Sequence, residues 1–357
     1  MTKTRLLIIS DKPRFDHLKK FSYELEKLNF QTQLIYDLDY LEKFRTNIFS
    51  KNKDKRNNFL KLLRDFKPDL ILFDRFSNLF EILIEEKFPY WILLRGNIWE
   101  EQFWAKKTYN KNLKNLISFE KNKRSIERFF EKSDLILPIS NYLHEEVTKR
   151  FPNKKSLVFY ADGRDISDWR PMHGMKLKHP CVGLVQGFEI WGKSKELLTL
   201  KKVMKNLPHV HFYLAGDGFY REKIIPELSK FSNFFWLKHN DSEQIKKFFT
   251  EIDIFLLLSG LEGLGQTVIE SLLMKKPTIA SKVGGIPELI INNETGFLVD
   301  TGDYSSIINH IEKILADPEL GKIMGDSGYK IISNDFSWNF ISKKFEKIFI
   351  NYNKLNS

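Results

Sequence analysis

Cysteine is nearly absent: Cys181 is the only one in 357 residues. That excludes an intramolecular disulfide framework and fits a reducing cytoplasm, with the thiol expected on a buried strand. Long apolar runs are missing as well. No stretch approaches the roughly 20 apolar residues that a membrane-spanning helix needs. The opening MTKTRLLIISDK holds a short apolar run that ends in charge, which reads as a first β-strand and not as a signal peptide. There is no internal repeat and no low-complexity tract. No His/Cys/Asp spacing announces a metal centre, so no bound metal and no nucleic acid is expected.

What is present is length and alternation. At 357 residues the chain exceeds the roughly 100–200 residues of one domain, and strand and helix patterns alternate throughout, which predicts two α/β domains. The first is expected over 1–165, and the second over 179–336. In the first, Arg5 to Ser10, Gln31 to Tyr36, Leu70 to Phe73, Tyr90 to Leu94, Leu135 to Ile139 and Leu157 to Tyr160 read as strands. Helices are expected at His17 to Leu28, near Leu79 to Glu86, over one or two basic segments from Gln102 to Lys132, and at Tyr142 to Arg150. Asp162 to Lys178 lacks apolar periodicity and reads as a linker. The second domain repeats the pattern, including strands at Val182 to Gln186 and Ile254 to Leu258 and a helix near Glu196 to Lys205. His17 and His144 fall on helices and read as surface residues.

Charge divides unevenly between the halves. Residues 1–180 hold 36 Lys+Arg against 25 Asp+Glu, whereas residues 181–357 hold 21 of each. The entire excess lies in the first half, which points to an anionic ligand or an anionic membrane surface there, against a bland reading as biased composition. Its densest source is Gln102 to Lys132, with nine Lys+Arg and three Glu interleaved with Trp104, Leu113, Leu116, Ile117, Phe129 and Phe130. A helix lying in the headgroup plane is one expectation; packing of its apolar stripe on its own domain is the other.

The most informative stretch is Ile254 to Val299. A buried strand, Ile254 to Leu258, is followed by a tight loop, Ser259 to Gly265, and a helix from Gln266 to Met274. Glu262 therefore sits at the carboxyl edge of the sheet, with Glu270 one helical layer further in. The helix start at Gly265 and Gln266 offers backbone N–H groups and the positive end of a dipole to a diphosphate, and Gly263 and Gly265 let the backbone approach it. Around that point Glu262 can accept hydrogen bonds from a sugar ring and Glu270 from a ribose. Separately, Gly187 to Ser194 satisfies G-x-x-x-x-G-K-[ST] after a strand, the pattern of a phosphate-binding loop. Phe188, Ile190 and Trp191 are bulkier than such a cradle wants. In either setting Lys193 is a phosphate contact.

At these residues the chain resembles glycosyltransferase family 4. Glu262 and Glu270 stand at its E-x7-E motif, followed in order by Gly284-Gly285-Ile286-Pro287-Glu288 and Thr295-Gly296-Phe297-Leu298-Val299, with Ala215-Gly216-Asp217-Gly218 before and Phe336-Ser337-Trp338 after. The resemblance implies an α/β architecture of two Rossmann-like domains, the glycosyltransferase B fold, with an interdomain cleft and a last helix, about 338–357, returning to the first domain. It further implies a metal-independent, retaining hexosyltransferase without cofactor, taking a nucleoside-diphosphate sugar as co-substrate.

In that setting Gly187, Lys193, His239, Glu262, Gly263, Leu264, Gly265, Gln266 and Glu270 would bind the donor, the base lying near Leu237–Asn240. Arg14, Arg95 and Asn97 would face a glycan, lipid-linked or small-molecule acceptor. Glu262, Lys193 and Arg95 would act on the reacting groups. For Arg95 the alternative is an ion pair with Glu100 or Glu101. Departures from the family are Phe188 where an arginine is usual, with Lys195 or Arg164 as candidate replacements, no glycine pair after the first strand, and Arg95-Gly96-Asn97 where a histidine is usual. These departures keep a non-catalytic sugar-nucleotide-binding subunit open. A P-loop hydrolase or kinase and a nucleotide-sugar epimerase are further alternatives. The expected location is cytoplasmic, with peripheral binding to the inner face of the plasma membrane.

Overall fold

The computed structural model describes residues 3–41, 51–109, 113–238 and 241–356. In the first half the elements are β1 (Thr4–Ser10), α1 (Lys12–Glu26), β2 (Phe30–Tyr36), α2 (Lys51–Phe66), β3 (Leu70–Asp74), α3 (Phe80–Glu85), β4 (Tyr90–Leu94), α4 (Ile98–Tyr109), α5 (Leu113–Lys132), β5 (Leu135–Pro138) and α6 (Asn141–Arg150). Then follow β6 (Cys181–Val185), α7 (Trp191–Ser194), α8 (Leu200–Asn206), β7 (His211–Ala215), α9 (Arg221–Leu228), β8 (Phe234–Lys238) and α10 (Ser242–Glu251). The chain closes with β9 (Ile254–Leu257), α11 (Gln266–Leu273), β10 (Thr278–Ser281), β11 (Gly296–Val299), α12 (Tyr304–Ala316), α13 (Pro318–Asp335) and α14 (Trp338–Asn356).

Two units result, one of residues 1–95, 111–163 and 336–357, the other of 96–110 and 164–335. The first holds a parallel sheet in the order β2-β1-β3-β4-β5. Its central strands, LILFD and YWILL, are buried at every position, as strands covered on both faces require. Aromatic side chains fill the layers: the Tyr90 ring stacks on Phe129 at 5.6 Å, and its hydroxyl donates to the Phe129 carbonyl at 2.8 Å. Helix α14 belongs to this unit, with Phe345 edge-on to Phe21 at 5.4 Å and Tyr352 edge-on to Trp91 at 5.0 Å. His17, expected as a plain surface residue, lies 4.6 Å from Trp338, because α1 is the helix that α14 covers.

The second unit holds the parallel sheet β11-β10-β9-β6-β7-β8. Its core runs from Val182 and Leu184 through Phe212, Leu214, Ile254 and Leu256 to Ile307 and Ile311 of α12.

Two expectations change. Residues 96–110, expected in the first domain, lie with the second unit. The reason is side-chain packing: Trp104 of α4 fills the space beside Gly192, where a Cβ would come within 2.1 Å of its Nε1, and Thr108 hydrogen-bonds to the Tyr220 hydroxyl. Leu157 to Tyr160 forms no strand; Ser156 bridges Ile136, and Leu157 and Phe159 donate to Ile136 and Pro138. The helix expected at Glu196 to Lys205 is present, its first part, Lys195–Thr199, a 3₁₀ helix that runs directly into α8. In α5 the residues Ile126, Phe129 and Phe130 are buried, so its apolar stripe serves the first unit's core, while Ile117 is 61% exposed.

The buried Asn233 side chain holds the connection between α8 and β7, its Nδ2 donating to the carbonyls of Leu207 and Val210 at 3.0 Å each. Asn233→Ala strands those oxygens and is expected to cost about 2 kcal/mol, read as a lower urea midpoint with unchanged slope.

Candidate functional site

In the second sheet the chain passes from β6 to β7 and β8 on one side and then returns to place β9, β10 and β11 on the other. β6 and β9 are neighbours at this reversal, and the crevice at their carboxyl ends is where open α/β sheets bind ligands. The loops leaving these two strands meet there. Gly260 N–H donates to the Lys193 carbonyl at 3.2 Å, and a Cβ on Gly260 would lie 2.3 Å from the Gly192 oxygen, so only glycine permits the approach.

Lys193 Nζ lies 2.6 Å from Glu262 Oε1. The fold gives Lys193 a partner in Glu262, which, 8% exposed, needs a counter-charge where solvent cannot hydrate it fully. Lys193 retains 30% of its side-chain exposure and so keeps one side toward solvent. Gly284, at φ +55°, holds the chain against Glu262: a Cβ there would lie 1.8 Å from the Glu262 carbonyl oxygen.

Gly265 adopts φ +106° and starts α11, with Gln266 as its first residue, Leu264 buried beneath and Gly263 in the loop. On the same helix Glu270 Oε1 accepts from Arg164 Nη2 at 2.8 Å and from Nε at 3.2 Å. A Cβ at Gly187 would meet only the Asp217 backbone oxygen, in ordinary contact at 3.8 Å. Phe188 is fully buried, its backbone clasped by Asp217 and Tyr220, so that position is apolar because it is core. Lys195, a candidate replacement for the missing arginine, lies 5.6 Å from the Trp104 ring centre. Arg164, the other candidate, is the partner of Glu270. The buried Ser194 hydroxyl donates to the Ile190 carbonyl at 2.8 Å, so it is spent within one helical turn and does not present itself as a phosphate-loop serine. His239, with Asn240, lies outside the described residues.

The first unit gathers charge at the carboxyl ends of its own strands. Arg95, following β4, is buried and pairs with Asp74 at the end of β3 and with Asp162. Arg14 Nη1 reaches Asp162 at 3.3 Å, and Ser10 Oγ reaches Asp74 at 3.4 Å. Burial opposes the Arg95 charge, yet Asp74 and Asp162 outweigh it and raise its pKa above the ordinary value. Arg14 moves the other way, lowered by burial and by Arg95.

Arg95 thus has Asp74 and Asp162 as its partners within the first unit. Asn97 is buried in the second unit, and its Oδ1 accepts from Glu100 N at 3.1 Å, which starts α4. Asp74 and Asp162 were missed in the sequence. The signal for Asp74 was there, a carboxylate closing the apolar strand LILFD.

The sequence now finds its kin. Residues 167–331 match the family of glycosyl transferases group 1. The matched span contains Lys193, Glu262 and Glu270. The capsular polysaccharide biosynthesis glycosyltransferase CapM of Staphylococcus aureus is 32% identical over 102 residues, 29% of this chain and 27% of that protein. The chain covers 27% to 60% of the length of the first curated relatives that it matches.

Among solved structures, sucrose-phosphate synthase from Thermosynechococcus elongatus gives a TM-score of 0.76 at 15% identity, over 98% of this chain and 99% of the other. HepE of Anabaena, solved in complex with UDP-glucose, gives 0.72 at 14% identity over 97% and 99%. The fold is therefore the glycosyltransferase B fold, α/β with two parallel sheets, and the group 1 glycosyltransferase match lies in its second unit.

Asp74→Ala leaves Arg95 buried with half its compensation and should lower stability by about 3 kcal/mol or more. Arg5→Ala, which breaks a half-exposed pair with Asp69, should cost less than about 1 kcal/mol. Parallel urea unfolding curves check both.

Proposed function

We propose that the protein is a retaining glycosyltransferase that moves a sugar, a hexose-like unit, from a nucleoside-diphosphate sugar to an acceptor hydroxyl in the synthesis of a cell-surface glycan or glycolipid. The observation that carries this reading is the Lys193–Glu262 pair at the β6–β9 reversal, beside the start of α11. A diphosphate entering that crevice meets one mobile cation and the positive end of a helix. Lys193 exchanges the Glu262 carboxylate for phosphate, or shares itself between them, and so neutralises charge that grows as the leaving group departs. Glu262 then turns to the sugar hydroxyls, and Glu270, held in place by Arg164, accepts from the ribose.

For retention we propose front-face attack. The acceptor oxygen bonds to the anomeric carbon on the face the diphosphate leaves, and a phosphate oxygen takes the acceptor proton. Lys193 supplies the positive charge that a metal supplies elsewhere, so turnover is expected to persist in EDTA. In the first unit, Arg95 and Arg14 are proposed to shape the acceptor side through Asp74 and Asp162.

The test is incubation with UDP-, GDP- and ADP-sugars and candidate acceptors, following nucleoside-diphosphate release with and without EDTA. Transfer is expected; phosphate release from ATP or GTP would instead support a nucleotide hydrolase, and inertness a binding subunit. Glu262→Gln should abolish transfer with folding intact. Lys193→Ala should cut turnover about 10²-fold or more. Glu270→Ala should mainly raise the donor Kd. Near-wild-type turnover of Glu262→Gln would remove the donor-site assignment.

Peripheral binding to an anionic membrane is a further part of the proposal, and its support is charge. The excess stays with the first unit, since residues 96–110 carry two lysines and two glutamates. Among the described residues no helix is long and apolar enough to cross a membrane. Each lysine or arginine near such a surface contributes roughly 1 kcal/mol, screened by salt. Co-sedimentation with phosphatidylglycerol vesicles should fall at high salt and on changing Lys121, Lys123 and Arg124 to Glu; equal, negligible sedimentation throughout sinks this part alone.

A further inference from the structure

At the amino ends of β6 and β9, on the sheet edge opposite the Lys193–Glu262 crevice, three unlike ligand groups converge. His179 Nδ1 lies 2.9 Å from Asp253 Oδ2 and 3.6 Å from Cys181 Sγ, and the three ligand atoms all fall within 4.8 Å of one another. A tetrahedral zinc ion with a sulfur ligand at about 2.3 Å and a nitrogen ligand at about 2.0 Å sets those two atoms about 3.5 Å apart. Nitrogen and oxygen ligands would need about 3.3 Å, a small opening of the His179–Asp253 contact.

The histidine is oriented from behind: its Nε2 faces Glu251 Oε1 at 3.1 Å, the carboxylate–histidine arrangement that fixes a metal-binding tautomer. Asp253 is held as well, accepting from Cys181 N–H at 2.7 Å. The thiol is buried, while His179 and Asp253 are partly exposed, so an ion would enter from solvent and close on sulfur.

We propose that His179, Cys181 and Asp253 form a binding site for one thiophilic divalent ion of the zinc type, with Glu251 as the positioning carboxylate. Cysteine, histidine and carboxylate together favour zinc over magnesium or calcium, which take oxygen. Asp253 and, after the cost of burial, Glu251 raise the His179 pKa, and burial pushes the Cys181 thiol up to about 12. Lys276, whose own pKa burial lowers, faces the same carboxylates and adds a cation that an incoming ion must work against. A thiolate and a neutral imidazole are the ligating forms, so binding releases protons. The site stands apart from the donor chemistry, and neither reading depends on the other.

Cobalt(II) titration of the full chain tests it, because Cys181 is the only cysteine and a thiolate-to-cobalt charge-transfer band in the near ultraviolet reports it alone. One equivalent of cobalt should give the band together with tetrahedral visible bands, and one equivalent of zinc should bleach both. Glu251→Gln keeps all three ligands and should weaken cobalt affinity about 10-fold or more. His179→Ala should abolish the band. The absence of a near-ultraviolet band in the wild-type protein, or its persistence at full affinity in His179→Ala, overturns the proposal. Thermal unfolding of the wild type with and without zinc gives a second reading: a rise in Tm with zinc that His179→Ala lacks supports the site, and no rise at saturating zinc overturns it.

Discussion

The contact on which the second unit's chemistry depends is the meeting of two loops at the carboxyl ends of β6 and β9, closed by Lys193 and Glu262 at 2.6 Å. Parallel strands that adjoin in the sheet but lie far apart in sequence send their following loops toward one crevice. Whether those loops touch depends on what stands between them. Here nothing does, because Gly260 and Gly192 bring backbone against backbone, and Gly284 clears the chain behind Glu262. The carboxylate is thereby desolvated enough to hold a lysine, and the lysine stays exposed enough to leave it.

The first unit uses charge in the opposite way. Arg95 is wholly enclosed and shared between Asp74 and Asp162, so its desolvation is offset inside the protein and little is left to attract an incoming anion. Exposure decides the difference. A cation with 1% of its side chain accessible is an element of the fold, whereas one with 30% can exchange partners. The same criterion shifts the reading of α5, whose Phe129 and Phe130 are spent in the core.

Local patterns in the sequence were legible where one physical cause acted alone. Apolar runs bounded by charge or glycine marked the strands of both sheets, and the β9–loop–α11 segment showed its glycine start and both carboxylates. Side-chain partnerships were not legible, because each joins residues brought together only by sheet order: Lys193 to Glu262, Arg164 to Glu270, Arg95 to Asp74, His179 to Asp253. The assignment of α4 to the second unit was hidden for the same reason. Its sequence shows a helix with two lysines, two glutamates and two tryptophans; that Trp104 fills the space beside Gly192 follows from packing across 87 intervening residues of chain order that no local pattern records.

Phe188 brings these strands of argument together. The family's usual arginine at that position would add a second full positive charge beside the diphosphate, yet here the side chain is core and the loop around it is clasped by Asp217 and Tyr220. Arg164 is committed to Glu270, and Lys195 lies over the Trp104 ring, so neither gives its charge without giving up a contact. Under the proposed chemistry the diphosphate then meets one lysine and a helix start equivalent to about half an elementary charge. That positive charge is of the order of the single unit of negative charge that grows on the leaving group, without a second side-chain cation.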